Sequence, residues 1–175
     1  AKDRYTRGHI RRVADLAVSI GKSFGMDREE LESLWVGGIL HDIGKIATPL
    51  EILNKPGTLD DEERNIMRQH PHTGYLICHP LKKNLKYALD IIRHHHELLD
   101  GTGYPDMLKG AEISPAVRIM VAVDIFDALT TDRPYRKALK RDEAFGILDS
   151  MVSKNKIDAK VVEALKKAEI EGGVR

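Results

Sequence analysis

His41 and Asp42 stand side by side at the polar end of an apolar run that begins at Trp35, within the stretch GGILHDIGKI over 37–46. A helix sets neighbouring side chains about 100° apart, so both can enter one cavity. The imidazole offers a nitrogen and the carboxylate an oxygen to a hard or borderline cation, and the second carboxylate oxygen can reach another ion. Lys45 is i+4 from His41 and i+3 from Asp42, on the same helix face, where a cation could meet a phosphate held on the metal. Taken alone, the pair is equally well read as a hydrogen bond at a helix end. Its weight comes from further candidate ligands at His9, His70, His95, His96 and Asp124.

One metal rarely takes that many donors, and a hydrolytic metal keeps a position open. The inventory therefore predicts two metals, with Asp42 able to bridge them. A metal pair clamps a phosphoryl group and lowers the pKa of a bridging water. The sequence carries no Ser or Cys nucleophile motif and no GxxxxGK[ST] phosphate loop. Metal-assisted phosphoester hydrolysis is the reaction the residues support best, and the mixed nitrogen–oxygen donors favour iron or manganese over zinc.

The elements that must bring these residues together are helical. Residues 5–24 place Ile10, Val13, Ala14, Ala17 and Ile20 at the spacing of one helix face, with His9 on the same stripe and Gly25 as the stop. Asp27 and Glu30 form a capping box for a helix over 28–41 that continues to near Lys45, until Thr48-Pro49 breaks it. A short turn over 49–53 and a tight turn over 54–57 follow. Thr58 with Asp61 then marks a helix start carrying 60–69. Pro71 fixes His70 at a helix junction. His72 and His79 read as solvent-facing, on either side of a brief helix over 75–78. Tyr87, Ala88, Ile91 and Ile92 mark a helix that ends in Arg93-His94-His95-His96-Glu97, where two of the three histidines can converge. The loop LLDGTGYP over 98–105 is punctuated by glycine.

Ser114 caps and Pro115 starts a deeply buried helix through Val117, Met120, Val121 and Val123. Asp124 and Asp127 interrupt that burial one turn apart, and a buried carboxylate needs a partner or a metal. Arg133 and Arg136 could pair with them, or could bind phosphate through the guanidinium fork. Helices over 142–153 and 159–170 serve packing. No strand alternation, internal repeat or low-complexity segment stands out, so the chain reads as all-α.

The bulk properties narrow the field further. With 175 residues, 42% hydrophobic and 31% charged, the chain suits one domain with a real core. Its net charge of +1 gives no electrostatic case for DNA or an anionic membrane. The single cysteine, Cys78, excludes an internal disulfide and fits a reducing, cytoplasmic compartment. No apolar run approaches the roughly 20 residues that span a bilayer, so no membrane insertion is expected. The chain opens at Ala1 without Met and reaches His9 almost at once. It reads as a single domain over 1–175, a fragment normally preceded by a sensory or receiver domain.

His41-Asp42, with an upstream His and a downstream Asp, resembles the HD-domain metal phosphohydrolases. HHELLDGTGYP over 95–105, Asp3, Tyr5, Thr6 and His9, His70-Pro71 with Gly74, and RIMVAVDIFDALTTDRPYR over 118–136 make the chain similar to the HD-GYP subfamily, the bacterial cyclic di-GMP phosphodiesterases. That resemblance implies an all-α HD-domain helical bundle with additional C-terminal helices, and cleavage of cyclic di-GMP to pGpG, in some members on to GMP. It implies one metal on His9, His41, Asp42 and Asp124, and another on Asp42, His70, His95 and His96. Lys45 would contact phosphate and protonate the leaving oxygen. Arg133 and Arg136 would hold phosphates, and Tyr104 and Asp127 would line the site. Some members bind a third metal through a Glu where Tyr5 stands here, so two are expected. Glu97, Asp100, Gly101, Gly103, Tyr104 and Pro105 match the family loop, which the family also uses toward GGDEF-type cyclases. A homodimer is compatible with the resemblance. A generic HD phosphohydrolase and a non-catalytic cyclic di-GMP sensing or cyclase-docking module are the competing readings. Hybrid cyclic dinucleotides would meet the same residues.

Overall fold

The computed structural model describes residues 2–132 and 137–172. Helix α1 (Lys2–Ser23) leads to α2 (Arg28–Leu40), and a 3-10 turn over Ile43–Ala47 joins α2 to α3 (Leu50–Leu53). There follow α4 (Asp61–Met67), α5 (His70–Cys78), α6 (Lys86–His94), α7 (Pro115–Thr130), α8 (Arg141–Ser153) and α9 (Ala159–Gly172). Among the described residues β pairing is confined to an isolated antiparallel bridge between Asp100 and Lys109. The fold is all-α, as the sequence predicts.

The core is organised on α7. Val117, Ile119, Met120, Val121, Ala122, Val123 and Phe126 are all buried, so this helix is enclosed on nearly every side. Val13, Ala17 and Ile20 of α1, Leu34 of α2 and Ile91 of α6 pack into the same cluster, and Leu148 of α8 and Leu165 of α9 close it from the C-terminal side. A smaller cluster of Cys78, Leu89 and Ile92 ties α5 to α6. Burying apolar surface of this kind stabilises by roughly 25 cal/mol per Å² removed from water.

Three close approaches decide where the site forms. A Cβ on Gly38 would lie 2.8 Å from the Ala14 Cα, and one on Gly37 would lie 2.8 Å from Ile91 Cδ1. Without side chains there, α2 nests between α1 and α6, and the end of α2 reaches both. A Cβ on Gly44 would fall on the His70 carbonyl oxygen and within 2.5 Å of the Gly74 nitrogen. The 3-10 turn is thereby pressed onto the start of α5.

Some boundaries differ from the sequence reading. The α-helix of α2 ends at Leu40 and does not continue to Lys45, because the His41 ring takes the Gly38 carbonyl at 2.8 Å, an acceptor that a longer helix would have used. Asp60, not Thr58, caps α4, in a reciprocal box with Glu63. His70 opens α5 with Pro71 in its first turn, so that helix is longer than the 75–78 segment expected. His72 and His79 are half-buried rather than solvent-facing. His72 Nδ1 lies 2.7 Å from Arg93 Nη1, and the His79 ring packs on Tyr75 at 5.3 Å.

The tight seat of Gly44 gives a stability test. Gly44→Ala forces backbone apart where no flexible side chain can yield. It is expected to lower the unfolding free energy by about 3 kcal/mol in a urea titration, with Gly57→Ala, in open space at a positive φ, costing less.

Candidate metal centre

The seven candidate side chains come from five places in the chain and meet in one pocket. His9 comes from the interior of α1, His41 and Asp42 from the end of α2, and His70 from the start of α5. His95 and His96 follow α6, and Asp124 projects from α7. Asp42 Oδ1 lies 3.3 Å from His70 Nε2 and 3.9 Å from His95 Nε2, while Oδ2 lies 3.5 Å from His41 Nε2. Asp124 Oδ1 stands 3.5 Å from His9 Nε2 and 3.8 Å from His41 Nε2. Ligand atoms of Asp42, His70, His95 and His96 fall within 4.8 Å of one another, as do those of His9, His41 and Asp42. One carboxylate therefore faces two separate nests of imidazole.

The rings are aimed by what lies behind them. Nδ1 of His41, His70 and His95 faces the carbonyl oxygens of Gly38, Met67 and Ile92 at 2.8, 2.7 and 3.0 Å. A carbonyl only accepts, so the hydrogen sits on Nδ1, and Nε2 is the atom directed into the pocket. His70 Nε2 and His95 Nε2 are 3.1 Å apart. Two nitrogen lone pairs at that distance repel unless a cation or proton lies between them. His41 Nε2 is buried without a hydrogen-bond partner among the described residues, and an orphaned buried acceptor of this kind calls for a ligand. The residues fit a pair of divalent cations.

Electrostatics agree with that fit. Burial pushes the His96 imidazole down to about 4, and burial and the neighbouring rings hold His95 well below its usual 6.5. Both rings are therefore neutral near pH 7 and able to act as ligands. Burial works against the charge on Asp42, but Lys45 and the surrounding imidazoles outweigh it and hold the carboxyl well below its usual range. Lys45 Nζ donates to Asp42 Oδ2 at 2.6 Å.

The loop after α6 is clamped from several sides. Buried Glu97 accepts the backbone N–H groups of Asp106 and Leu108 at 2.6 and 3.1 Å. Asp100 accepts from the Thr102 N–H at 3.0 Å and pairs with Lys156 at 3.3 Å. Gly101 turns the chain at φ 79°, and Gly103 lies against the Glu97 and Leu98 backbone. The Tyr104–Pro105 bond is cis. Tyr104 stacks on His96 at 4.8 Å with the Arg68 guanidinium 5.3 Å from its ring, and burial pushes its phenol up, so it stays protonated. The third histidine, His94, turns away, with Nδ1 2.6 Å from Asp90 and Nε2 2.8 Å from Asp106.

Asp127 takes the arginine-paired alternative that the sequence left open, with a different arginine. Both of its oxygens are engaged within the chain, by His9 Nδ1 at 2.6 Å and by Arg12 at 2.7 and 3.1 Å. Arg12 is a partner for Asp127 that the sequence reading did not name; Arg133 and Arg136, which it did name, lie outside the described residues. The one sequence signal for Arg12 is its place three residues after His9, on the same helix face.

Comparison with known proteins agrees with the geometry. Residues 2–161 match the family model described as HD domain. The chain is 36% identical over 165 residues to 3'3'-cGAMP-specific phosphodiesterase 1 of Vibrio cholerae, covering 94% of this chain and 38% of that protein. It is 38% identical over 142 residues to a cyclic di-GMP phosphodiesterase of Pseudomonas aeruginosa, covering 81% of this chain and 34% of that protein. The chain thus spans little more than a third of the length of these relatives. In fold it resembles an HDG"Y"P protein from Bdellovibrio bacteriovorus, with a TM-score of 0.75 at 22% identity, over 91% of this chain and 51% of that one.

The His94 clamp carries a pH signature. Burial opposes its charge, but the hydrogen bonds to Asp90 and Asp106 outweigh burial and raise it above 6.5. A raised histidine contributes stability fully below the unfolded value and loses it as pH climbs through the folded one. His94→Gln is therefore expected to cost more stability at about pH 6 than at about pH 9, read from urea unfolding at both.

Proposed function

The chain belongs to the HD domain family, in its HD-GYP branch, and we propose that it is a metal-dependent phosphodiesterase that hydrolyses cyclic di-GMP to linear pGpG. The observation that carries this reading is the division of Asp42, with Oδ1 toward His70 and His95 and Oδ2 toward His41. On this reading His9, His41, Asp42 and Asp124 hold one divalent ion, and Asp42, His70, His95 and His96 hold the other. Iron or manganese suits the mixed donors best. Bound together, such ions supply Lewis acidity toward a phosphoryl oxygen and make water a better nucleophile near neutral pH.

The chain's own groups orient the substrate and manage its charge. Lys45 Nζ, resting on Asp42 at 2.6 Å, is a proton-bearing cation beside the ligand set. It binds a phosphate oxygen and can deliver a proton to the leaving ribose oxygen. Asp42 holds that ammonium in place beside the candidate ligands. Tyr104 offers its hydroxyl, because its ring is already stacked on His96 and approached by Arg68. Arg133 and Arg136 are assigned the dinucleotide's phosphates by their place in the sequence. Two features bear on compartment and partners. No helix among the described residues is long and apolar enough to cross a membrane, which accords with cytoplasmic work on a soluble second messenger. The 97–105 loop is the surface assigned to a GGDEF-type cyclase.

A second substrate, cyclic GMP-AMP, presents a phosphodiester to the same groups, and a relative at 36% identity is named for it. The sensing-module reading predicts binding without turnover and lost ligands, whereas all seven residues are present and converge.

Protein loaded with manganese under reducing conditions, incubated with cyclic di-GMP and followed by nucleotide chromatography, is expected to yield pGpG. Cyclic GMP-AMP run in parallel ranks the two substrates. Lys45→Ala is expected to lower kcat by about 100-fold, the scale of a lost acid, and His95→Ala to abolish turnover. No turnover of either substrate with manganese or iron would overturn the proposal.

A further inference from the structure

His9 differs from three other site histidines in where it stands on its helix. His41, His70 and His95 each use a carbonyl freed at a helix end, at Gly38, Met67 and Ile92. The last carbonyls of a helix have no partner within it. His9 lies inside α1 (Lys2–Ser23), where carbonyls serve the helix itself. Its Nδ1 hydrogen goes instead to Asp127 Oδ2, across 118 residues of sequence, at 2.6 Å. Arg12 grips that carboxylate from the other side, with Nε on Oδ1 at 2.7 Å and Nη2 on Oδ2 at 3.1 Å. Arg12 Nη2 also reaches Thr131 Oγ1 at 3.0 Å, and Thr131 Oγ1 donates back to Asp127 Oδ2 at 3.3 Å.

Resting on the two-ion reading, we propose that Arg12 and Asp127 are positioning residues for the His9 half of the metal centre, setting the affinity of the ion held there without contacting the substrate. A carboxylate behind Nδ1–H fixes the tautomer and strengthens Nε2 as a donor. A neutral carbonyl does this less, because hydrogen bonds to charged acceptors are stronger. Arg12 balances the effect. Its fork neutralises Asp127 and holds it in one orientation, so the proton stays on His9 Nδ1 and the ring keeps its direction. Among the described residues, Nδ1 of His70 and of His95 each faces a backbone carbonyl. The two halves are therefore unequal, and damage to Asp127 falls on one of them.

The test is manganese binding to the intact chain, read as metal per chain after desalting and as the electron paramagnetic spectrum, where a spin-coupled pair differs from a single ion. Wild type is expected to hold about two ions with a coupled spectrum, and Asp127→Ala about one with an uncoupled spectrum, the lost site weakened about 10- to 100-fold. Asp127→Asn alone sets an amide N–H₂ against either His9 or Arg12, and should also lose one ion. Adding Arg12→Ala to Asp127→Asn frees the amide oxygen to face His9, and should restore the second ion. A residue that served folding alone would not be rescued by removing its partner. Thermal unfolding without metal, followed by circular dichroism, verifies that each variant folds. If Asp127→Ala keeps both ions at wild-type affinity, or loses both equally while folded, the inference falls and the two-ion reading stands. If folded wild type binds no manganese, the two-ion reading falls and the inference with it.

Discussion

Nitrogen lone pairs crowded around a single carboxylate are the constraint on which this structure depends. Left alone, Nε2 of His70 and His95 at 3.1 Å would push apart. The buried, unpartnered Nε2 of His41 would also carry the cost of an unsatisfied polar atom. The fold holds these atoms together by securing the far side of each ring. Three helix ends do this with carbonyls that their own helices leave unused. The arrangement answers two needs at once, since helix C-termini need donors and imidazoles need acceptors. It also turns the negative ends of α2 and α6 toward the place where cations fit.

That economy explains which parts of the site could be read from the sequence. Most of the converging residues were legible because they are polar residues set against an apolar pattern: His41-Asp42 at the end of a run, His95-His96 at the end of a helix, Asp124 inside a buried one. The capping box at Asp27 was legible because it is local. Arg12 was not, because its partner Asp127 lies 115 residues away and half of the Arg12 side chain is exposed. From the sequence it is one more charge on the outer edge of an amphipathic helix. The end of α2 was misplaced for a similar reason. What stops that helix is the side chain of His41 competing for a carbonyl, an event no propensity scale registers. His72 and His79 were read as solvent-facing because nothing nearby in sequence announces Arg93 or Tyr75.

The loop that carries Tyr104 shows the same reliance on polar groups used twice. Glu97 is buried, yet it stabilises the loop because two backbone N–H groups converge on its carboxylate. Asp106 then receives Arg93 and His94 from the preceding helix. The three consecutive histidines are thus divided by role, with His95 and His96 facing the pocket and His94 fastening the loop. Tyr104 reaches His96 on a segment whose backbone is fixed at both ends, so its stacking costs little additional ordering.

Helix α7 is both the hub of the apolar core and the carrier of Asp124 and Asp127. A rod gripped by packing along most of its length behaves like an axle: turning it anywhere turns it everywhere. Uncharged residues of α8 and α9 packed into the core with α7, Leu148 and Leu165 among them, therefore share in setting the angle at which the two acids meet His9. Drift in the greasy far end of the molecule would be felt as detuning at its polar heart.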